Sequence, residues 1–94
     1  MYGVLIADDE ALIREGIADG IDWQSLACCE PLLASNGIEA IDIIGNKKID
    51  IVIADVKMPG INGLELADWV SKKKDWINII ILSGYDDFKK SPNA

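Results

Sequence analysis

Two unbroken apolar runs in this chain each end on aspartate. Val4-Leu5-Ile6-Ala7 is closed by Asp8-Asp9, and Ile51-Val52-Ile53-Ala54 is closed by Asp55. Continuous aliphatic runs, as opposed to strict alternation, mark strands buried on both faces, as in a parallel sheet. After the first run the period changes. From Glu10 to about Asp19 apolar positions recur at helical spacing, with Leu12, Ile13 and Ile17 expected on one face and Arg14, Glu15 and Asp19 on the other. Gly20 is expected to stop that helix, and Trp23, beyond Ile21-Asp22, to pack over its end.

The same alternation continues along the chain. A second strand is expected around Cys29 to Ala34, with Pro31 arguing for an edge position. Ser35-Asn36-Gly37 supplies turn and capping chemistry before a helix from about Ile38 to Gly45, in which Ile38, Ile41 and Ile44 are spaced by three. Ile49 to Ala54 forms the third strand. Met58-Pro59-Gly60 forces a loop, and Asn62-Gly63 leads into a third helix carrying Leu64, Ala67 and Val70 on one side. Lys72-Lys73-Lys74 closes that helix with a basic turn, favourable against its dipole. Ile77 to Leu82 is the fourth strand, followed by Ser83-Gly84. Strand and helix alternate throughout, the pattern of a doubly wound α/β fold on a parallel sheet.

Composition narrows the function classes. With 94 residues the chain is one domain at most, and with half of them hydrophobic it is a packed one. The net charge of −7 argues against a nucleic-acid surface, which needs clustered Lys and Arg, so this chain is not expected to bind nucleic acid directly. There is no histidine, which removes the commonest general base and metal ligand. The adjacent Cys28-Cys29 suits a reducing compartment better than a disulfide framework. Asp8, Asp9 and Glu10 interrupt the N-terminal apolar run too early for a signal peptide, and no stretch approaches the length of a membrane span. A soluble cytoplasmic domain is the expectation.

If the two aspartate-closed runs are neighbouring parallel strands, Asp8, Asp9 and Asp55 converge at their carboxyl ends, where open α/β sheets place their sites. Two charges about 4 Å apart repel by ~1 kcal/mol in water and ~4 kcal/mol at an effective dielectric near 20. Such a cluster calls for a cation, and a hard divalent ion such as Mg²⁺ takes oxygen ligands. Taken singly, each residue also has a plainer reading. An acid at a strand-to-helix junction is commonly a helix cap, and Ser83 either reaches an anion in the same cleft or caps the turn at Gly84. Together, carboxylates, a hydroxyl and backbone N–H groups suit a phosphoryl group held beside a metal.

Five motifs now stand in order: Val4-Leu5-Ile6-Ala7-Asp8-Asp9-Glu10, Ala34-Ser35-Asn36-Gly37, Asp50 to Gly60, Asn62-Gly63-Leu64-Glu65-Leu66, and Ile79-Ile80-Ile81-Leu82-Ser83-Gly84-Tyr85. In this the chain resembles the receiver domain of bacterial two-component response regulators from Tyr2 to about Phe88. Trp23 after Ile21-Asp22, with Ser83-Gly84-Tyr85-Asp86-Asp87-Phe88, resembles receivers that precede AraC-type DNA-binding domains. The resemblance implies a flavodoxin-like doubly wound parallel sheet and a signalling module with no enzymatic turnover. It implies Asp55 as phosphoacceptor, Asp9 and Asp55 as direct Mg²⁺ ligands, and Asp8 as a more remote one. The backbone carbonyl of Lys57 would complete the protein ligands, and Ser83 would contact the phosphoryl group. The donor would be a phosphohistidine of a sensor histidine kinase.

The chain departs from that pattern at its end. Residues 1–88 read as an incomplete receiver, truncated after the fourth strand, and residues 89–94, Lys89-Lys90-Ser91-Pro92-Asn93-Ala94, as a tail outside the pattern. A fifth strand and fifth helix, on the order of 30 residues, would be missing. With them would go the family's lysine beside the acceptor; Lys57 is expected to point to solvent, and Lys89 or Lys90 would have to fold back to replace it. Baring some ~400 Å² of apolar surface forgoes up to ~10 kcal/mol, against a domain stability of about 5–15 kcal/mol. Self-association through the bared sheet is therefore expected.

Two other readings compete. One is a pseudo-receiver, a dimerisation or interaction module that keeps the fold without phosphorylation. The other is a Mg²⁺-dependent phosphohydrolase with Asp55 as nucleophile; such enzymes commonly need a second acid two residues on, where this chain has Lys57.

Overall fold

The computed structural model describes residues 1–82. Four parallel strands, β1 (Val4–Ala7), β2 (Leu32–Ala34), β3 (Ile51–Asp55) and β4 (Asn78–Leu82), form one sheet in the order β2-β1-β3-β4. Three helices connect them: α1 (Ala11–Gly20), α2 (Gly37–Asn46) and α3 (Gly63–Lys73). The flavodoxin-like α/β architecture expected from the sequence is thus present. The placing of β2 at one edge agrees with Pro31, which has no N–H to donate and sits just before it. All four residues of β1 are buried, as a central parallel strand requires.

The sheet divides the core in two. Leu5, Ala7, Val52 and Ala54 face α2 and α3, where they pack with Ala40, Ile44, Leu66 and Val70. Val4, Ile6 and Ile53 face the other way, against Cys28 and the half-buried Ile17, Ala18 and Trp23. The side chains of one strand alternate between these clusters, so the parity of a residue decides its side. Trp23 packs over the end of α1 as expected, its indole Nε1 donating to the Ala18 carbonyl at 2.9 Å.

The helix faces were misjudged from sequence, on α2 and α3 for the same reason. On α2 the buried residues are Gly37, Ala40 and Ile44, with Ile41 half-buried beside them, while Ile38 is exposed. On α3 they are Gly63, Leu66 and Val70, and Leu64 is exposed. A strict spacing of three falls behind the helix by about 60° per step, at roughly 100° per residue, and so drifts off the core face. Spacing of three then four stays on it. On α1 Ile17 and Ala18 face the sheet, whereas Leu12, about 140° from Ile17 around the helix, is 89% exposed and Ile13 is also exposed.

Helix ends show one further correction. Gly20 is the last residue of α1 and Ile21 caps it in extended conformation, so the expected glycine stop is not of the left-handed type. The starts of α2 and α3 follow the sequence well. Asn36 Oδ1 accepts from Glu39 N at 2.8 Å, and Asn62 with Glu65 forms a reciprocal capping box. Lys72 and Lys73 fall in the last turn of α3. Among the described residues no helix is long and apolar enough to cross a membrane.

The revised face of α3 has a direct test. Leu66→Ala is expected to lower unfolding free energy by about 2–5 kcal/mol, and Leu64→Ala to change it by less than about 0.5 kcal/mol. Urea denaturation at matched slopes reads both, and the reverse ranking would overturn the assignment.

Candidate functional site

The last ladder pair between β1 and β3 is Ala7 with Ala54. One step further along, Asp8 comes level with Asp55. Parity puts both on the same side, since Asp8 continues Val4 and Ile6, and Asp55 continues Ile51 and Ile53. The strand order also reverses here, because the chain leaves β1 for β2 on one side and for β3 on the other. Open α/β sheets bind ligands in the crevice at that switch. Asp9, on the loop to α1, completes the group: one carboxylate oxygen from each of Asp8, Asp9 and Asp55 lies within 4.8 Å of the others.

The three acids differ in surroundings. Asp8 is 1% exposed and Asp55 8%, whereas Asp9 is open to solvent. Burial is the largest influence on Asp8 and pushes its carboxyl above the usual carboxylate value. The charges of Asp55, Asp9 and Glu10 act in the same direction, and a hydrogen bond from Glu10 N, at 2.9 Å to Oδ1, opposes them. Asp55 is also raised, chiefly by burial and further by Asp9. Against this, the nearby backbone N–H groups of Lys57 and Val56 and the Lys57 charge favour the ionised form, while the Val56 N–H itself donates to the Leu82 carbonyl at 3.4 Å.

The plainer reading of Asp8 as a helix cap is met only in part. The residue at the cap position of α1 is Glu10, which makes no side-chain capping bond, and Asp8 instead accepts the N–H of Glu10 two residues on. Lys57 is exposed, as expected from sequence, yet its charge is felt at Asp55. Ser83, Lys89 and Lys90 lie outside the described residues. Arg14, which the sequence reading placed on the face away from Ile17, instead reaches the sheet end, where its guanidinium donates to the Asp8 carbonyl at 2.7 Å. Its spacing of three and four from Ile17 and Ala18 places it on the sheet-facing side of α1, which was the available signal.

The donor set suits a hard divalent cation. It is all oxygen, it comes from two adjacent strand ends, and two of its members are buried acids whose ionisation the fold disfavours. A bound dication would remove that penalty; a soft thiophilic metal would find no sulfur or imidazole in this group.

The fold and this acid cluster define a class. The family model for the response regulator receiver domain matches residues 4–94, and the chain belongs to that family. It is 45% identical over 94 residues to the uncharacterized transcriptional regulatory protein YesN of Bacillus subtilis, of which it spans 26% of the length. Among solved structures it is similar to the receiver domain of AraT, a response regulator from Geobacillus stearothermophilus, with a TM-score of 0.86 and 36% identity, covering 99% of this chain and 72% of that one. It is also similar to the response regulator TrrA from Thermotoga maritima, solved in complex with Mg²⁺-BeF, with a TM-score of 0.80 and 37% identity over 97% of this chain and 76% of that one. The chain is therefore a receiver domain, a signalling module, and it spans about a quarter to a third of the length of its curated relatives.

The raised carboxyls set a pH dependence. In the native state they hold protons at pH values where the unfolded chain has released them, so their contribution to stability falls as pH rises. The decline begins near the ordinary value of 3.8 and continues through their raised native values. Asp55→Asn is expected to flatten this decline and raise the urea midpoint at neutral pH without divalent cation. A midpoint no higher than that of the parent chain would contradict it.

Proposed function

We propose that Asp55 is the residue that accepts a phosphoryl group, and that Asp9, Asp55 and the backbone carbonyl of Lys57 hold Mg²⁺ directly, with Asp8 in outer support. The observation that carries this reading is the meeting of Asp8, Asp9 and Asp55 at the strand-order switch. Bound Mg²⁺ would neutralise charge between the acceptor carboxylate and the incoming phosphoryl oxygens. The protein's own part is positional. β3 delivers Asp55 at its last residue, and the nearby N–H groups of Val56 and Lys57 favour the ionised form of its carboxyl. An Asp55 oxygen then forms the bond to phosphorus as the bond to the donor breaks. Asp8 is held in place by Glu10 N at its carboxylate and by Arg14 at its backbone carbonyl, in a supporting position beside the acceptor.

The donor in this reading is a phosphohistidine of a sensor histidine kinase in the cytoplasm, and Ser83, one residue past β4, contacts the transferred group. The relatives' description as transcriptional regulators supports an output in transcription, exerted by other parts of a longer protein; at a net charge of −7 this domain is not the DNA-binding part. A pseudo-receiver has no observation in its favour, since the acids meet as the chemistry needs. Self-association retains one point of support. Among the described residues β4 is an edge strand, and Ile80 on it is 51% exposed.

Incubation with Mg²⁺ and acetyl phosphate, followed by intact mass, is expected to show one added phosphoryl group that is absent in Asp55→Ala. Addition that persists in that variant would move the acceptor elsewhere. Asp9→Asn is expected to weaken Mg²⁺ binding at least ~10-fold by calorimetric titration, as loss of a charged ligand should; unchanged affinity would remove Asp9 from the metal site. For self-association, sedimentation velocity across a concentration series is expected to show a dimer that Ile80→Lys disperses, and a monomer throughout would end the proposal.

A further inference from the structure

α3 begins against the acceptor's own backbone. Gly63, its first residue, donates its N–H to the Val56 carbonyl at 2.9 Å. A methyl group at Gly63 would collide with the Asp55 carbonyl oxygen, and would come within 2.9 Å of the Asp55 carbonyl carbon and 3.0 Å of the Val56 Cα. These are backbone atoms, which cannot swing aside as a flexible side chain does. Helix propensity alone would favour alanine over glycine within a helix by about 0.5–1 kcal/mol. Glycine at this point therefore answers to the close approach, not to the helix.

The helix start is itself held rigidly. Asn62 Oδ1 accepts from Glu65 N at 2.8 Å, and Glu65 Oε1 accepts from Asn62 N at 2.9 Å. The first turn of α3 is thus fixed by its capping box, and its first residue presses on the peptide that joins Asp55 to Val56. The N–H of Val56 in that peptide donates to the Leu82 carbonyl of β4 at 3.4 Å, and the amides of Val56 and Lys57 lie close enough to the Asp55 carboxyl to favour its ionised form.

We propose that Gly63 is a positioning residue for the acceptor: by lacking a side chain it lets the capped start of α3 seat the Asp55–Lys57 backbone, and with it the Asp55 carboxyl. This rests on the reading of Asp55 as phosphoacceptor, and extends it to a residue that touches neither the phosphoryl group nor the metal.

A control of equal severity exists at the other end of the sheet. A methyl at Gly3, just before β1, would collide with the Lys48 carbonyl oxygen and come within 3.1 Å of its carbon. Gly3→Ala should therefore disturb packing comparably, away from the carboxyl ends of the strands. The experiment compares Gly63→Ala, Gly3→Ala and Asn62→Ala in the 94-residue chain. Asn62→Ala loosens the same helix start without inserting an atom and, as a lost cap, costs about 1 kcal/mol.

Two readouts are taken: the ¹H–¹⁵N resonances of Val56 and Lys57 without metal, and the rate of phosphoryl uptake at saturating Mg²⁺ and acetyl phosphate. Gly63→Ala is expected to move both amide resonances and slow uptake about tenfold or more, as a misplaced reacting group does. Asn62→Ala should shift both readouts in the same direction by less. Gly3→Ala should lower the melting temperature with both amide resonances in place and uptake within about twofold. Unmoved resonances in Gly63→Ala, or in Asn62→Ala should Gly63→Ala fail to fold, overturn the inference, as does equal slowing in Gly3→Ala. If the parent chain takes up no phosphoryl group, the acceptor reading fails while the resonances still decide whether Gly63 seats Asp55.

Discussion

The register of β1 on β3 is the constraint on which the site depends. Because Ala7 pairs with Ala54 and both strands are parallel, Asp8 and Asp55 arrive level and on one side of the sheet. A slip of one residue in a strand would send every side chain to the opposite face, exchanging the two core clusters and separating the acids together. The aliphatic packing that fixes the register is thus what forces two carboxylates into proximity. Val4, Ile6, Val52 and Ala54 are almost wholly buried, and their burial outweighs a few kcal/mol of local repulsion. The surrounding polar contacts act against that repulsion. Glu10 N at Asp8 and the Val56 and Lys57 amides at Asp55 all favour the charged forms, and Arg14 adds a positive charge at the Asp8 carbonyl.

The two sides of the sheet are unequal, and the inequality bears on access. On one side α2 and α3 cover a broad cluster that includes Leu5, Val52, Leu66 and Val70. On the other, among the described residues, α1 packs through half-buried Ile17 and Ala18 and has no fully buried residue of its own. The acids project to this thinner side. Asp9 is consequently open to solvent at the mouth of the cluster while Asp8 and Asp55 sit at its floor. Such a graded arrangement would suit the proposed role, with a shielded acceptor, where electrostatics are strong, below an exposed entrance.

Much of this was legible in the sequence, and the legible part has a physical signature. Strands buried on both faces leave continuous apolar runs, so β1 and β3 could be read directly, and an acid that ends such a run is placed at the sheet's carboxyl edge by that fact alone. β4 was legible from its apolar run too, although Ile80 on it is exposed. Side-chain caps were equally visible, since Asn36 and Asn62 act within three residues of themselves. The helix faces were not, because a short helix gives too few apolar positions to separate a spacing of three from the true period. Ile38 and Leu64 were assigned inward on that ground and are exposed, as is Leu12, which was grouped with Ile17 although it lies well round the helix from it. Gly63 acts on residues of another element through the backbone, and neither side-chain type nor spacing announces a contact of that sort, whereas the spacing of Arg14 from Ile17 and Ala18 did carry a signal.

The fold and the chemistry pull against each other at one place. A sheet end with Asp8 and Asp55 replaced by neutral residues of similar size would bury less charge and be the more stable protein without a cation. The acids are held where they are by packing that gains nothing from their charge. The disfavoured ionisation that follows makes this corner of the domain responsive: any group that brings positive charge to the cluster stabilises the native state through it, and any group that adds negative charge must find compensation elsewhere. If Asp55 is the acceptor, as proposed, its phosphorylation would add negative charge at the shielded floor of the cluster, beside Asp8. Among the described residues, the β3–α3 loop and the first turn of α3 are anchored to the backbone of Asp55 and Val56. A change of charge at Asp55 would then bear on the segment that Gly63 and the capping box hold in place.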